Sequence, residues 1–382
     1  MSVSPVYLAP CGTYEIPALA ALFRSAFEAL SLPDDFFRGK RVLFKPNLVL
    51  AKRPDQGATT HPAVLSALAD VVFAMGAESI TLADSPGGPY SSAALGHVYK
   101  VCAMDTVDPR VKLNDDFTYG NVTMHGEKLR NARLLTVYQQ ADVVVDLCKM
   151  KSHSLTGMSC AVKNLFGLIP GTEKFEMHSA FPALPDFSEM LVDLAEYVTA
   201  DKPFLAVCDA ILSMEGNGPT HGTPKMTGQM LVSRDPFALD IIAEHMMRRD
   251  GETIYLNAAA ARSRIPRDWR EIPLLGTAEP PTFDFVRPDA EAGSFLRNLS
   301  GFMGGRFVKV LEPKPVILKD KCVGCGRCAA SCPRKTIRMV RRGKKTRAKI
   351  RHDACIQCYC CQELCPIGAV GIRQNPLFRL IH

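Results

Sequence analysis

Near the C-terminus one cysteine spacing occurs twice, Cys322-x2-Cys325-x2-Cys328-x3-Cys332-Pro333 and Cys355-x2-Cys358-x2-Cys361-x3-Cys365-Pro366. Three closely spaced thiolates wrap one [4Fe-4S] cluster, and the fourth, before proline, reaches across to a second cluster. The two ligand sets must therefore interlock. Cys322, Cys325, Cys328 and Cys365 are expected at one cluster, and Cys332, Cys355, Cys358 and Cys361 at the other. Paired C-x2-C motifs can also close zinc sites, but zinc takes four ligands and needs neither the third step nor the x3-Cys-Pro interval. Cys360 stands beside ligand Cys361 as a surplus thiol and reads as packed and unreactive.

A chain of 382 residues is far longer than such a module needs. The expected division is an α/β domain over residues 1–312 and a ferredoxin-like domain over 313–382, joined through Gly301–Gly305 and Glu312-Pro313-Lys314-Pro315. Charge divides the same way. Residues 313–382 hold 16 Lys and Arg against 3 Asp and Glu, whereas the rest hold 30 against 36. Much of this basicity lies between Arg338 and Arg351, which alternates around Gly343 like a hairpin with a charged tip. Without aromatic interleaving it suits an acidic electron-donor protein of ferredoxin or flavodoxin type better than nucleic acid. Five cysteines scattered through the large domain make no disulfide framework. No apolar run reaches the roughly 18 residues of a membrane span, and the N-terminus has no leader pattern. A soluble, cytoplasmic protein is expected.

The large domain alternates short apolar runs with helical patterns. Arg41–Lys45, Ser79–Asp84, Ala141–Leu147, Pro203–Asp209 and Gln229–Ser233 suit strands buried on both faces. Ile16–Leu30, Ala63–Met75, Phe187–Val198 and Phe237–Arg248 suit helices, two of them opened by His61-Pro62 and Asp235-Pro236. The expected architecture is α/β: a mostly parallel sheet with helices on both faces.

Ligands of such sheets bind beyond the carboxyl ends of the strands. There the sequence places Lys45-Pro46-Asn47, Asp84-Ser85-Pro86-Gly87-Gly88, Cys148 through His153, and Glu215-Gly216-Asn217-Gly218. Lys149, Lys151 and His153 share one side by period two and, with His61, are the candidate catalytic groups. Lys45, Asn47, Asp84, Lys163, Asn164 and Glu215 are the candidate ligands of a small, anionic substrate. Blander readings stand beside these: solvated strand ends for the lysines, a helix start for His61, a turn cap for Asp84. Gly157, Gly167 and Gly171 frame Lys163-Asn164 but without the spacing of a phosphate loop, and Gly216–Gly222 does not fit a dinucleotide fingerprint. That second stretch reads as a lid or an irregular turn. Cys148, Cys160 and Cys208 read as small buried hydrophobes.

The stretches Lys45–Val49, Thr59–Pro62, Lys149–His153, Leu155–Gly171, Glu215–Pro219 and Asp235-Pro236 with Asp240 resemble the domain of unknown function numbered 362. Members of that family are often fused to a ferredoxin module, as the segment CIQCYCCQELCP implies here. Cys160 stands where the family pattern has glycine. The resemblance implies the two-part architecture and two [4Fe-4S] clusters, and it directs attention to Lys149, Lys151, His153, Lys163 and Asn164. The expected function is an iron-sulfur oxidoreductase feeding electrons to a small anion in the α/β domain. The alternative is an electron-transfer or maturation protein that docks onto a partner enzyme.

Overall fold

The apolar runs form a sheet buried on both faces. The computed structural model describes residues 3–290, 313–343 and 345–374. Its large domain begins with β1 (Val6–Pro10), α1 (Ile16–Ala29), β2 (Arg41–Pro46), α2 (Pro62–Ala74), β3 (Ser79–Leu82), α3 (Ser92–Val101) and β4 (Val111–Leu113). A small hairpin, β5 (Tyr119–Thr123) and β6 (Asn131–Leu135), and α4 (Thr136–Gln140) precede β7 (Val143–His153), β8 (Gly157–Ser159), α5 (Ala161–Asn164), α6 (Glu173–Ala180) and α7 (Leu184–Asp201). β9 (Phe204–Glu215), β10 (Thr223–Ser233), α8 (Pro236–Met246), α9 (Ile254–Ala261) and β11 (Leu274–Leu275) complete it.

The sheet runs β11-β1-β10-β9-β7-β2-β3-β4, with β8 folded back onto β7. β9, β7, β2, β3 and β4 are parallel neighbours. β10 is antiparallel to both β9 and β1, and β8 is antiparallel to β7, so a mostly parallel sheet carries two antiparallel strands. From β2 the chain builds outward through β3 and β4, then returns to lay β7 and β9 on the other side. The switch in strand order therefore falls between β2 and β7, where a crevice opens above the strand ends.

Alternation along each strand feeds two cores. Val42, Phe44, Val143 and Val145 pack under α1, α2 and α3, whereas Leu43, Val144 and Cys148 pack under α7, α8 and α9. Caps set the helix starts: the His61 ring accepts the Ala63 N–H, and Asp235 accepts those of Phe237 and Ala238. Two strands run well past their apolar segments. β7 continues from Leu147 to His153 because β8 pairs with its end, Lys151 opposite Ser159 and His153 opposite Gly157. β9 continues to Glu215 because β10 pairs with it across a bulge. The polar run 148–153 is thus strand rather than loop, and it is entirely buried.

The cysteine-rich module pairs β12 (Lys314–Ile317) with β15 (Val370–Arg373), and β13 (Ile337–Arg342) with β14 (Lys345–Ile350) in the expected hairpin. Its short helices are α10 (Arg327–Ala330) and α11 (Cys360–Glu363). The expected linker at 301–312 lies outside the described residues. The module packs on the large domain: Tyr359 is buried in the second core, and Thr220 donates to the Glu363 carbonyl at 2.8 Å.

The start of α5 depends on one carboxylate. Asp240 of α8 accepts the backbone N–H groups of Ala161 and Val162 at 2.7 and 3.0 Å and the Tyr255 hydroxyl at 2.9 Å, all without solvent access. Asp240→Ala strands three buried donors, so a loss of about 3 kcal/mol or more is expected in denaturant unfolding.

Candidate functional site

At the carboxyl edge of the sheet a single polar network joins β2, β3, β7 and α5. Lys45 forms an ion pair with Asp84 at 2.7 Å, with the lysine side chain fully buried. The second Asp84 oxygen accepts the Leu48 N–H at 2.7 Å. Asn164 donates to Asp146 at 2.7 Å and to the Lys45 carbonyl at 3.2 Å, and its own oxygen accepts from Asn47 at 2.9 Å. The Asn47 oxygen then accepts from Lys151 at 2.9 Å. Each buried ionisable group here has at least one ion-pair or hydrogen-bond partner, although the second Asp146 oxygen has none among the described residues.

Above this network lies a cavity of about 90 Å³. Lys151, His153, Lys163, Lys174 and His178 face it from the large domain, while Cys360, Glu363 and Leu364 close it from the cysteine module. Lys163 has its ammonium 4.6 Å above the Phe166 ring and makes no hydrogen bond or ion pair with any described residue. Lys174 donates to the carbonyls of Ser85 and Ile169, both at 2.5 Å. His153 Nδ1 accepts the Leu155 and Thr156 N–H groups, which puts its proton on Nε2, 3.4 Å from Glu363.

Burial governs the titration of these groups. It pushes Lys151 down to about 7, helped by Lys149 and Lys163, and Lys174 down to about 7, helped by Lys45. Lys163 is lowered by the same cause. Burial beside Lys163 and Lys151 holds His153 well below the ordinary histidine range, and His178 is lowered to about 3. Burial raises Glu363, opposed by Lys163 and Lys151. Near neutral pH the cavity therefore holds neutral imidazoles beside lysines that can give or take a proton, a setting that favours an added negative charge.

Of the residues singled out from sequence, Asn47, Asp84, Lys151, His153, Lys163 and Asn164 line the cavity, and Lys45 lies directly beneath it. Three others are elsewhere. Lys149 is engaged by Asp209 at 2.7 Å and Tyr14 at 3.3 Å. His61 caps α2 and stacks on Tyr14 with ring centroids 3.7 Å apart. Glu215 pairs with Lys225 at 2.8 Å. The stretch 216–222 is a turn that grips the module through Thr220. Lys174, His178, Glu363 and Leu364 escaped the sequence reading. The first two stand four apart on α6, the spacing of one helix face, and Glu363 is the lone glutamate of a basic module. Cys148, Cys160 and Cys208 converge in the core with sulfur contacts of 3.7 and 3.4 Å, brought together by pairing of β7 with β9 above α5.

In the module each expected ligand set surrounds its own small cavity: Cys322, Cys325, Cys328 and Cys365 line one, Cys332, Cys355, Cys358 and Cys361 the other. Both halves repeat the same backbone. Positive φ occurs at Gly324 and Gln357, two after each first cysteine, at Gly326 and Tyr359, and at Lys335 and Gly368. Such left-handed residues turn successive N–H groups inward to form an anion-binding nest. Thr336 and Ala369 donate their N–H groups to Cys332 and Cys365 sulfurs at 3.3 and 3.1 Å. Four thiols plus inward amides in each half suit a negatively charged iron-sulfur cluster.

Comparison with known proteins agrees with this architecture. The chain belongs to the DUF362 family, a domain of unknown function whose profile matches residues 42–245, and it carries a 4Fe-4S dicluster domain matched over residues 315–372. It is 35% identical over 266 residues to a thylakoid-associated protein of Synechocystis sp., covering 68% of this chain and 79% of that protein. Its module is 40% identical over 76 residues to one component of a ferredoxin:CoB-CoM heterodisulfide reductase of Methanosarcina mazei, covering 17% of this chain and 47% of that component. Among solved structures, the lactate racemase apoprotein of Thermoanaerobacterium thermosaccharolyticum is 14% identical with a TM-score of 0.39, over 64% of this chain and 57% of that one. The C-terminal module is thus of an electron-carrying iron-sulfur type. No described helix is long and apolar enough to cross a membrane.

Gly167 shows how tightly the site is built, since a Cβ there would overlap Asp84 Oδ1 and Lys45 Nζ. Gly167→Ala should split that ion pair and cost about 2 kcal/mol or more in denaturant unfolding.

Proposed function

We propose that the chain is an iron-sulfur oxidoreductase in which two [4Fe-4S] clusters, held by the two interlocked cysteine sets, supply electrons to a small anionic substrate in the cationic cavity. The observation that carries this reading is that α11 of the cysteine module closes the cavity. Cys360 on that helix lies between Cys358 and Cys361 of one ligand set and faces Lys163 and His153 across the cavity. An electron leaving that set has only one residue to pass before the substrate space.

The chain's own residues supply the rest. Lys163, with no carboxylate at ion-pair distance among the described residues, and Lys174 would hold the substrate's negative charge. Lys151, poised near neutrality, would deliver a proton as electrons arrive. His153 presents a fixed Nε2–H, and Asn47 orients Lys151. Lys45, Asp84 and Asn164 hold the strand ends in place beneath. Lys149, His61 and Glu215 would act on the framework around the site. The basic hairpin of β13 and β14 would receive an acidic donor protein of ferredoxin or flavodoxin type.

A second reading, delivery of electrons to a partner enzyme, draws support from the module's similarity to components of heterodisulfide reductases. Reduction of a small molecule by the isolated protein with a chemical reductant favours the first reading. Activity only in a protein complex favours the second.

Anaerobically purified protein should contain about eight irons per chain, two cubanes of four, with the absorbance and spin-resonance signals of [4Fe-4S] centres. Substantially less iron in folded protein would overturn the two-cluster assignment. Lys163→Ala should weaken sulfate binding at least about tenfold in calorimetry while leaving the cluster spectrum unchanged. Wild-type affinity for sulfate, whose charge is constant there, should fall from about pH 6 to about pH 9 as Lys151 and Lys174 lose their protons. Affinity that is flat with pH would remove these two lysines from anion binding.

A further inference from the structure

Beside the cationic cavity lies a second, much larger space of about 530 Å³, and Pro86, Gly87, Phe175 and Leu364 line both. The larger space runs between α3 of the large domain and α10 of the module, and its walls are chiefly aliphatic: Leu50, Ala51, Ala94, Leu95, Val98 and Ala330. The two chambers differ sharply in chemistry. One is small and ringed by lysines and imidazoles; the other is roomy and lined by methyl groups, with His97, Arg327 and Ser331 among its few polar members. The boundary between the two spaces is tightly packed, because a Cβ on Gly87 would overlap the Leu364 side chain. Phe175, on the same α6 turn as Lys174, belongs to neither hydrophobic core, so its ring is left to face the two chambers.

A cavity of about 90 Å³ has room for a head group and little more. A substrate with nothing beyond its head group would leave the adjoining apolar chamber filled with water, which is unfavourable for a space of that size and lining. We infer that the ligand is amphipathic, with an anionic head among Lys163, Lys174 and His153 and an apolar body running past Leu364 into the chamber beneath α3. This rests on the anion-binding reading given above and narrows its substrate class. It also assigns Leu364, between Glu363 and Cys365, as the residue that sets which body widths can pass. Because the chamber has one wall from each domain, such a ligand would also bind the module to the large domain.

Calorimetry of the anaerobic, cluster-loaded protein with acetate, butyrate, hexanoate, octanoate and decanoate tests this. Affinity should rise about fourfold per added methylene until the chamber is filled. Ala94→Trp, which occupies the chamber, should lower octanoate affinity at least about tenfold and leave acetate binding unchanged. Ala93→Trp, at an exposed position that lines the same chamber, serves where the first variant does not fold; unchanged cluster absorbance and circular dichroism confirm folding. Acetate binding that depends on Lys163 but shows no gain with chain length would overturn the amphipathic ligand and leave the anion site standing. Chain-length dependence that survives both Ala94→Trp and Lys163→Ala would put the alkyl chain elsewhere and also overturn it. Failure of any carboxylate to bind, together with unchanged sulfate affinity in Lys163→Ala, would remove the anion site itself.

Discussion

The ion pair between Lys45 and Asp84 is buried at the floor of the cavity, and the architecture of the site depends on it. A buried lysine is tolerated only where its proton donors are matched, and this one has Asp84, the Pro46 carbonyl and Asn164 around it. Because Asp84 also accepts the Leu48 N–H, the pair ties the end of β2 to the end of β3. Asn164 then ties both to β7 through Asp146. With these carboxylates and amides occupied by the framework, the ammonium groups of Lys151, Lys163 and Lys174 remain facing a cavity whose only carboxylates, among the described residues, are Asp84, already paired, and Glu363. The positive character of the cavity is thus a consequence of how the network below it is satisfied.

The cysteine module completes this arrangement. Glu363, Leu364 and Cys360 come from a single turn between ligand cysteines, and the same turn is held down by Thr220 and by burial of Tyr359. Docking therefore does two things at once: it walls one side of a cationic pocket and sets a cysteine set one residue from it. The 216–222 stretch contributes as an anchor. Gly218 is needed because a Cβ there would overlap the Ser152 carbonyl, which brings the turn hard against the end of β7.

Much of this was legible in the residues. The apolar runs at 41–45 and 79–84 coincide with strands, those at 141–147 and 203–209 mark only the first parts of two longer ones, and the helices opened by proline start where expected, since buried strands need apolar runs and proline suits the first turn of a helix. The strand ends at Asn47, Asp84, Lys151 and His153 come together at one cavity, at the edge where a parallel sheet binds its ligands. Lys149 looked equivalent to Lys151 by alternation and is on the same face, yet Asp209 on the neighbouring strand takes its charge. That pairing depends on register between β7 and β9, which no local pattern reveals.

The doubled cysteine spacing by itself determined that the chain ends in a two-cluster type of module, because four thiolates must converge at fixed intervals and only local chain geometry is involved. The apolar runs likewise determined a layered α/β domain. Tertiary structure alone decided which lysines keep a free face, that α6 brings Lys174 and His178 to the same cavity, and that α11 of the module forms its lid. These outcomes depend on which distant groups meet and neutralise one another. Such matching of charge and burial between separate elements of the chain is set by packing, and it leaves no spacing to read along the sequence.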